Sequence, residues 1–321
     1  MSADEHHLRQ YVEPSEVPDI VVQLEKEKYP VCFKGPPGHG KTYAAKKAVI
    51  EISRRYNNDQ PMPIVDCNSG LRPGKGEYGR VMFNATGYDP EDFAMPSIDD
   101  RTYDRFVTTS LPGADASWTK DVEWEDIQCT VIAEEIGKKP ENFKIWSELF
   151  HERTLGTNYK VPPKAYFIAT SNNADDGAGA FDIHSDLNRR MCTLQIRATV
   201  KGFLEHHKDE LHPLIKSILK YQGDNFLFTQ QHEASGEPFC APSTVFAVNQ
   251  QLNNGLDMDS PLSEAMVLGL IGIRGAAELF ATYRAGKNFG DLDEMLSDPD
   301  KHSDKIDQLR NDTTHNGRQT L

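Results

Sequence analysis

The chain has 321 residues, of which 38% are hydrophobic and 26% are charged, proportions that are typical of soluble globular proteins rather than disordered ones. Its 49 acidic and 35 basic residues give a net charge of −14, which disfavours binding to the polyphosphate backbone of nucleic acids. The first residues are acidic and polar, and no apolar run approaches the roughly 20 residues of a membrane-spanning helix, so we expect neither a signal peptide nor a membrane protein. The five widely spaced cysteines predict reduced, buried thiols in a cytoplasmic protein.

Strand-like and helix-like segments alternate along the first two thirds of the chain, after a polar N-terminal segment at residues 1–28 that contains one short helix. Strands are predicted at residues 29–34, 63–67, 128–133, 165–170 and 191–196, and helices at residues 41–55 and 141–153. This alternation predicts an α/β fold in which helices flank a parallel sheet in three layers. Residues 68–120, which are rich in Gly, Pro, Asp and Ser, are predicted to form an irregular insertion with short elements.

Beyond residue 199 the strand-like segments stop, and helical periodicity alone continues. Helices are predicted at residues 203–221, 243–254 and 263–285. We therefore expect an α/β core at residues 29–198, a helical second domain at 199–290 and a loose polar tail at 291–321.

A phosphate-binding loop is predicted between the first strand and the helix that follows it. The segment fits the pattern G-x-x-x-x-G-K-[ST] with the residues Gly35, Pro36, Pro37, Gly38, His39, Gly40, Lys41 and Thr42. Glycines let the backbone N–H groups wrap around phosphates, and the start of a helix adds positive partial charge at the same point. We expect Lys41 to reach the β- and γ-phosphates of ATP and the Thr42 hydroxyl to bind Mg²⁺. His39, at a variable position of the pattern, is expected to face solvent.

Two carboxylates, Glu134 and Glu135, follow the apolar strand at 128–133. A P-loop ATPase needs a carboxylate at the end of a neighbouring strand to hold Mg²⁺ and to act on the attacking water. The pair is therefore predicted to complete the site that the phosphate-binding loop begins.

The order of further motifs resembles that of AAA+ ATPases, and in particular the MoxR-like branch, over about residues 29–290. The segments that carry the resemblance are Ile132 to Ile136 (Walker B), Trp146 to Arg153 (a helix ending in Glu-Arg), Thr154 to Pro163 (a hairpin), Ile168 to Asn172 (sensor 1) and Leu187 to Arg190 (arginine finger). The resemblance implies a P-loop AAA+ core with a parallel sheet, followed by an α-helical lid. It also implies that Glu135 polarises the attacking water and that Asn172 orients this water or senses the γ-phosphate. Arg189, or less favourably Arg190, is implied to act in trans on the nucleotide of a neighbouring subunit.

Two positions depart from the pattern of this family. Glu134 stands where the family has the metal-binding Asp of Walker B, so its carboxylate lies one methylene further out, and Mg²⁺ is strict about geometry. Ser243 stands where the helical domain usually offers a sensor 2 Arg, and Arg274 is a substitute only by its charge and location. The first departure predicts slow hydrolysis, and the second predicts that one contact to the γ-phosphate is missing.

The resemblance further implies self-assembly into a ring, often a hexamer, that remodels a protein substrate, often with a partner carrying a von Willebrand factor A domain. The expected location is the cytoplasm of a bacterium or of a phage-infected host. Three alternatives remain: a nucleotide-gated scaffold with little hydrolysis, a nucleic-acid motor subunit and a small-molecule kinase. The nucleic-acid reading is disfavoured because the loop at 72–80 offers only Arg72, Lys75 and Arg80, which are expected to be solvated. The kinase reading leaves the sensor and finger segments unexplained.

Overall fold

The computed structural model describes residues 10–69, 71, 73–98, 105–109, 126–155, 159–174, 179–228 and 237–289. It divides into two compact units, Met1–Arg197 and Ala198–Leu321. The predicted tail at 291–321, the cation Arg72 and most of the predicted insertion between 99 and 120 lie outside the described residues.

The described residues form ten strands and ten α-helices. The strands are β1 (Val31–Lys34), β2 (Ile64–Asp66), β3 (Tyr78–Asn84), β4 (Ala94–Ile98), β5 (Arg105–Thr109), β6 (Cys129–Glu134), β7 (Thr154–Leu155), β8 (Tyr159–Lys160), β9 (Tyr166–Ser171) and β10 (Cys192–Gln195). The helices are α1 (Val17–Lys26), α2 (Lys41–Arg55), α3 (Pro90–Phe93), α4 (Phe143–Ser147), α5 (Ser185–Asn188), α6 (Val200–His206), α7 (Pro213–Gln222), α8 (Asp224–Leu227), α9 (Pro242–Asn253) and α10 (Pro261–Phe289).

The first unit is built on a six-stranded sheet in the order β10-β1-β9-β6-β3-β2. All of its strand pairs are parallel. One face packs on α1 and α2, where Val21 and Ala48 join the same core as Phe33 and Ile168. The other face packs on α4 and the turn after it, where Trp146 belongs to the core. The predicted α/β fold, with helices on both faces of a parallel sheet, is confirmed.

Residues 78–84, which we expected within an irregular insertion, form a strand of the main sheet. β3 pairs with β6 on one side and with β2 on the other. Its apolar run is broken in the sequence by Gly79 and Arg80. The glycine is needed because an added Cβ at Gly79 would lie 3.0 Å from the Cβ of Cys129, and Arg80 pairs with Asp66 through contacts of 2.7 and 2.6 Å.

The segment at 141–153 is not the continuous helix that its periodicity predicts. A 3₁₀ turn at Pro140–Asn142 leads into α4, and a π-helical turn at Glu148–Glu152 follows. The turn ends at Arg153, whose backbone is left-handed (φ 55°) and whose guanidinium donates to the carbonyls of Pro162 and Ala165 at 2.8 Å. The segment therefore ends where the sequence predicts, but as three short turns rather than one helix. The hairpin expected after it is present as the antiparallel pair β7 and β8.

The second unit is helical, as predicted, but its first helix is broken in two. Pro213 begins α7, and the His212 ring accepts the N–H of Leu214 at 3.2 Å as its N-cap, an arrangement that favours a new helix start. The last helix, α10, bends at Gly272, which has φ 71° and ψ 174°.

By length and composition α10 could cross a membrane, although a core helix of a soluble protein meets the same criteria. Its side chains at Val267, Ile271 and Leu279 are buried in the core of the helical unit.

Candidate nucleotide-binding site

The phosphate-binding loop connects the buried strand β1 to α2, as the sequence pattern requires. Gly35 lies close to Ile196, which directly follows β10. An added Cβ at Gly35 would be 2.3 Å from the carbonyl oxygen of Ile196. Gly40, just before α2, has a left-handed backbone with φ 88°, which favours glycine. Both positions thus require glycine, and the loop leads directly into the start of α2, where unpaired backbone N–H groups favour an anion.

Lys41 is held at the mouth of this loop by three acceptors. Its ammonium donates to the carbonyl oxygens of Gly35 at 2.6 Å and Pro36 at 2.8 Å. It also donates to Oδ1 of Asn172 at 2.8 Å. Asn172 is only 6% exposed and directly follows β9, the strand next to β1. The structure thus brings together the predicted phosphate-binding cation and the predicted sensor.

Thr42 contacts the other predicted group of the site. Its hydroxyl donates to Oε1 of Glu134, at the end of β6. Because β9 alone separates β1 from β6 in the sheet, the carboxyl ends of these three strands converge on one edge. A hydroxyl and a carboxylate in contact are oxygen ligands suited to Mg²⁺, which keeps several waters and binds few protein groups besides phosphates. The described residues contain no cluster of three His, Cys, Asp or Glu side chains that could hold a metal by itself.

Glu135 lies beside Glu134 but makes different contacts. Its backbone is left-handed, with φ 58°, and its N–H donates to Oγ1 of Thr170 at 3.2 Å. Its carboxylate accepts from Nδ2 of Asn84 at 3.3 Å and from the ammonium of Lys138 at 3.1 Å. Sequence reasoning missed both partners because they come from a strand it did not predict and from a turn.

His39 does not face solvent, contrary to expectation, since it is only 9% exposed. Burial, together with the nearby charges of Lys41 and Arg197, lowers the pKa of its imidazole to about 4. A cationic imidazole is costly where water is excluded and two cations are near. His39 is therefore neutral at physiological pH.

The segment before α1 lies against the phosphate-binding loop, which sequence analysis did not predict. Val12 bridges to Ile196 beside the end of β10, and an added Cβ at Gly40 would lie 3.3 Å from the Pro14 ring. Tyr11, about half exposed, stacks with its ring 5.3 Å from the guanidinium of Arg197. The only sequence signal for this contact is a short apolar pair, Tyr11-Val12, within a polar region.

Arg189 is not brought to the site of its own chain. It is exposed and directly follows α5, and its carbonyl accepts the Tyr29 hydroxyl at 3.2 Å. Tyr29 precedes β1, whereas the phosphate-binding loop follows β1. Arg189 and the loop therefore lie at opposite ends of this strand. Arg190 donates to the Ser147 carbonyl at 3.4 Å.

The two residues considered for sensor 2 belong to the helical unit. Ser243 is exposed in the first turn of α9, and Arg274 is exposed on α10 two residues after its bend. The loss of a sensor 2 contact stays a prediction.

Comparisons with known proteins assign the chain to no family. No protein-family profile matches it, and no curated protein matches it. Among solved structures, NtrX from Brucella abortus in complex with ATP is similar at 13% identity and a TM-score of 0.37, over 95% of this chain and 66% of that chain. The ORC2 protein of Aeropyrum pernix in its ADP form has 10% identity and a TM-score of 0.41, over 87% of this chain and 71% of that one.

A RuvB mutant from Thermotoga maritima is similar at 10% identity and a TM-score of 0.40, over 85% of this chain and 69% of that one. The chain spans less than two thirds of the NtrX chains it matches, 44% of one and 66% of another. Identities and TM-scores this low establish no shared activity, so the function of this chain rests on the geometry of its own site.

Proposed function

We propose that the chain is a Mg²⁺-dependent ATPase of the AAA+ class, similar to the MoxR-like branch, that remodels or assembles another protein. The observation that carries the proposal is the direct contact of Lys41 with Asn172 and of Thr42 with Glu134. These contacts join the phosphate-binding loop to the ends of two neighbouring strands, where phosphoryl transfer needs a sensor and a carboxylate.

The chemistry follows from these positions. The loop backbone and Lys41 bind the β- and γ-phosphates, and Thr42 and Glu134 are the groups that would hold Mg²⁺. When bound, the ion neutralises charge on the phosphate oxygens. Glu135 accepts a proton from water as the water oxygen attacks the γ-phosphorus and the bond to the ADP oxygen breaks. Asn172 orients that water.

The binding step is tested by removing the ammonium that faces the phosphates. We expect Lys41→Ala to weaken ATP binding by at least about tenfold, since a charge-assisted contact is worth more than about 1.4 kcal/mol at a partly buried site. A fluorescent ATP analogue is titrated into both proteins, with Lys47→Ala, on the same helix, as the control. Equal affinities of wild type and Lys41→Ala would exclude a phosphate site here.

The chemical step is tested by removing the proton acceptor. We expect Glu135→Gln to bind ATP with wild-type affinity and to lose at least about 100-fold in kcat, because an amide cannot accept the water proton. The measurement is phosphate release at saturating ATP and Mg²⁺. Turnover at the wild-type rate would show that Glu135 is not the catalytic base.

The proposed assembly is a ring, such as a hexamer, in which Arg189 of one subunit completes the site of the next. Arg189 lies near the amino end of β1, away from the phosphate-binding loop of its own chain, and this position supports a role in trans. The proposed partner is a protein substrate, with a von Willebrand factor A domain as one form that it could take. Nucleic acid is not part of the proposal because the net charge is −14.

A nucleotide-gated scaffold with little hydrolysis is the second candidate. The observation in its favour is that the Glu135 carboxylate is bound by Lys138 and Asn84 rather than free to accept a proton. ATP binding that depends on Lys41, combined with wild-type turnover that is close to zero and that Glu135→Gln does not lower further, would favour the scaffold.

A further inference from the structure

The guanidinium of Arg197 lies beside the start of the phosphate-binding loop. Arg197 follows Ile196, whose N–H donates to the carbonyl of Lys34 at 2.7 Å, and Lys34 is the last residue before the loop. The charge of Arg197 is close enough to contribute, with that of Lys41, to the lowered pKa of His39 inside the loop. Arg197 is therefore a second cation next to the loop, in addition to Lys41.

A contact with the ring of Tyr11 holds this guanidinium in place. The N–H of Val12 donates to the carbonyl of Gln195 at 2.8 Å, and the N–H of Arg197 donates to the carbonyl of Val12 at 3.0 Å. These two hydrogen bonds bring Tyr11 next to Arg197, and the guanidinium carbon lies 5.3 Å from the centre of the ring. A cation–π contact uses the face of a guanidinium and leaves the N–H donors in its plane available to an acceptor.

The exposed side chain of Arg197 is not ion-paired. Two other arginines of the first unit are paired, Arg55 with Glu25 and Arg80 with Asp66. Within the part of the chain that the structure describes, the Arg197 guanidinium has no carboxylate at ion-pair distance, although the chain has 49 acidic residues against 35 basic ones. This cation is therefore available to an anionic ligand.

The sheet order indicates which part of a nucleotide would meet Arg197. Lys41 contacts Asn172, which directly follows β9, so the γ-phosphate belongs on the β9 side of the loop. Arg197 follows β10, which pairs with β1 on the side opposite to β9. The ends of β9 and β10 are two strand spacings apart, about 10 Å, with the loop between them. A phosphate chain that begins near Asn172 thus continues toward Arg197 with its α-phosphate.

We propose that Arg197, held by the ring of Tyr11, binds the α-phosphate of the nucleotide. The inference rests on the proposed function. A guanidinium presents N–H donors in one plane that match the oxygens of a phosphate, whereas Lys41 is a point charge for the β- and γ-phosphates. The α-phosphate keeps its charge while the bond to the γ-phosphorus breaks, so the contact with Arg197 is equally strong before and during the reaction. It therefore raises the affinity for ATP and ADP without changing the rate of the bound complex.

The test measures nucleotide binding by Arg197→Met, which has neither the charge nor the N–H donors, through competition of ATP and ADP with the fluorescent analogue. We expect both dissociation constants to rise about fivefold, a modest loss because the site is exposed. The KM for ATP rises by the same factor, and kcat at saturating ATP stays at the wild-type value. Arg54→Met is the matched control, since it removes a cation of α2 that pairs with Glu51, and it leaves both affinities unchanged.

The contribution of Tyr11 is measured in the same assay. Tyr11→Phe keeps the face of the ring and is expected to bind both nucleotides with wild-type affinity. Tyr11→Leu removes the ring, so both dissociation constants are expected to rise about twofold. In the Arg197→Met background, Tyr11→Leu adds no further loss, because its effect passes through the guanidinium.

The outcomes separate this inference from the proposed function. Wild-type affinities in Arg197→Met, with ATP binding still weakened by Lys41→Ala, overturn the role of Arg197 alone. A loss for ATP but not for ADP also overturns it, because the cation then faces the γ-phosphate, and so does a fall in kcat. Additive losses in the double variant overturn the supporting role of Tyr11. ATP binding that is insensitive to Lys41→Ala overturns the proposed function itself.

Discussion

Glu134 accepts the hydroxyl hydrogen of Thr42 directly, although it carries one methylene more than the aspartate that the family pattern has at this position. The longer side chain brings the carboxylate to the hydroxyl, where the two can share one ion. A shorter carboxylate leaves room for a water molecule between them, and Mg²⁺ retains such waters readily.

We therefore expect Glu134→Asp to hydrolyse ATP at or above the wild-type rate. Glu134→Gln, which keeps the length and removes the charge, is expected to lower kcat at least about tenfold and to require more Mg²⁺. Both variants are assayed by phosphate release over a Mg²⁺ titration. Loss of activity in Glu134→Asp, with ATP binding retained, would show that the extra methylene is essential.

His39 gives a prediction about stability and pH. Its pKa is lowered to about 4 in the folded protein by burial and by two nearby cations, against about 6.5 in the unfolded chain. The unfolded chain then binds more protons between these two values, so stability is present above about pH 6.5 and is lost as pH falls toward 4. Between about pH 7.5 and about pH 5 this contribution changes by about 2 kcal/mol.

His39→Asn is expected to reduce the difference between the free energies of unfolding at these two pH values by that amount. Urea unfolding followed by circular dichroism measures it. His151→Asn is the control, since His151 is exposed. An unchanged difference in His39→Asn would show that the imidazole is equally protonated in the folded and unfolded states.

At the scale of elements, the strand ends that carry the candidate site follow from the sequence pattern, whereas one strand of the main sheet does not. The loop before α2, the acidic pair after β6 and Asn172 after β9 each follow a strongly apolar strand, and parallel strands bring their carboxyl ends to one edge. β3 was not predicted because Gly79 and Arg80 break its apolar run. Gly79 is required by the close approach of Cys129 in β6, and Arg80 pairs with Asp66 in β2. Such tertiary contacts leave no periodic signal.

The same limit applies to the residues that surround the site. Tyr11 and Pro14 approach the phosphate-binding loop from a polar segment, and Lys138 reaches Glu135 from a turn. The burial of His39 likewise follows from packing around the loop and not from its position in the motif.

The bend in α10 gives a prediction at this scale. Gly272 has φ 71°, and an added Cβ would lie 2.1 Å from the carbonyl oxygen of Pro238. Gly272→Ala should lower the free energy of unfolding of the helical unit by about 2 kcal/mol or more, from left-handed strain and overlap with backbone. Urea unfolding followed by circular dichroism measures the change.

Gly269→Ala on the same helix is the matched control, because an added Cβ there meets nothing within 4 Å. It is expected to stabilise the helix by roughly 0.5–1 kcal/mol, the helix propensity of alanine over glycine. Equal effects of the two variants would show that the bend is not held by the glycine.

At the scale of the whole molecule, the position of Arg189 limits how it can act. It lies beyond the amino end of β1, and the phosphate-binding loop lies beyond the carboxyl end. Four strand residues span about 13 Å, which is longer than an arginine side chain. If Arg189 acts on a nucleotide, that nucleotide belongs to another copy of the chain.

This geometry predicts that activity depends on assembly. The rate per subunit is expected to rise with protein concentration in ATP and Mg²⁺. Arg189→Ala is expected to bind ATP normally and to lose about 10³-fold or more in kcat, since an arginine finger is worth about 10³–10⁵ in rate. Arg190→Ala, whose guanidinium contacts the Ser147 carbonyl, is the control and should retain most of the activity.

Mixing two inactive variants gives the sharper measurement. A Lys41→Ala subunit binds ATP weakly but carries an intact Arg189, and an Arg189→Ala subunit has an intact phosphate-binding loop. Where the two meet in the correct order, one complete site forms, so part of the activity returns on mixing. No recovery in assemblies shown by cross-linking to contain both variants would argue against action in trans. A constant rate per subunit from a species that stays monomeric would remove the ring and leave the nucleotide-gated scaffold as the better description.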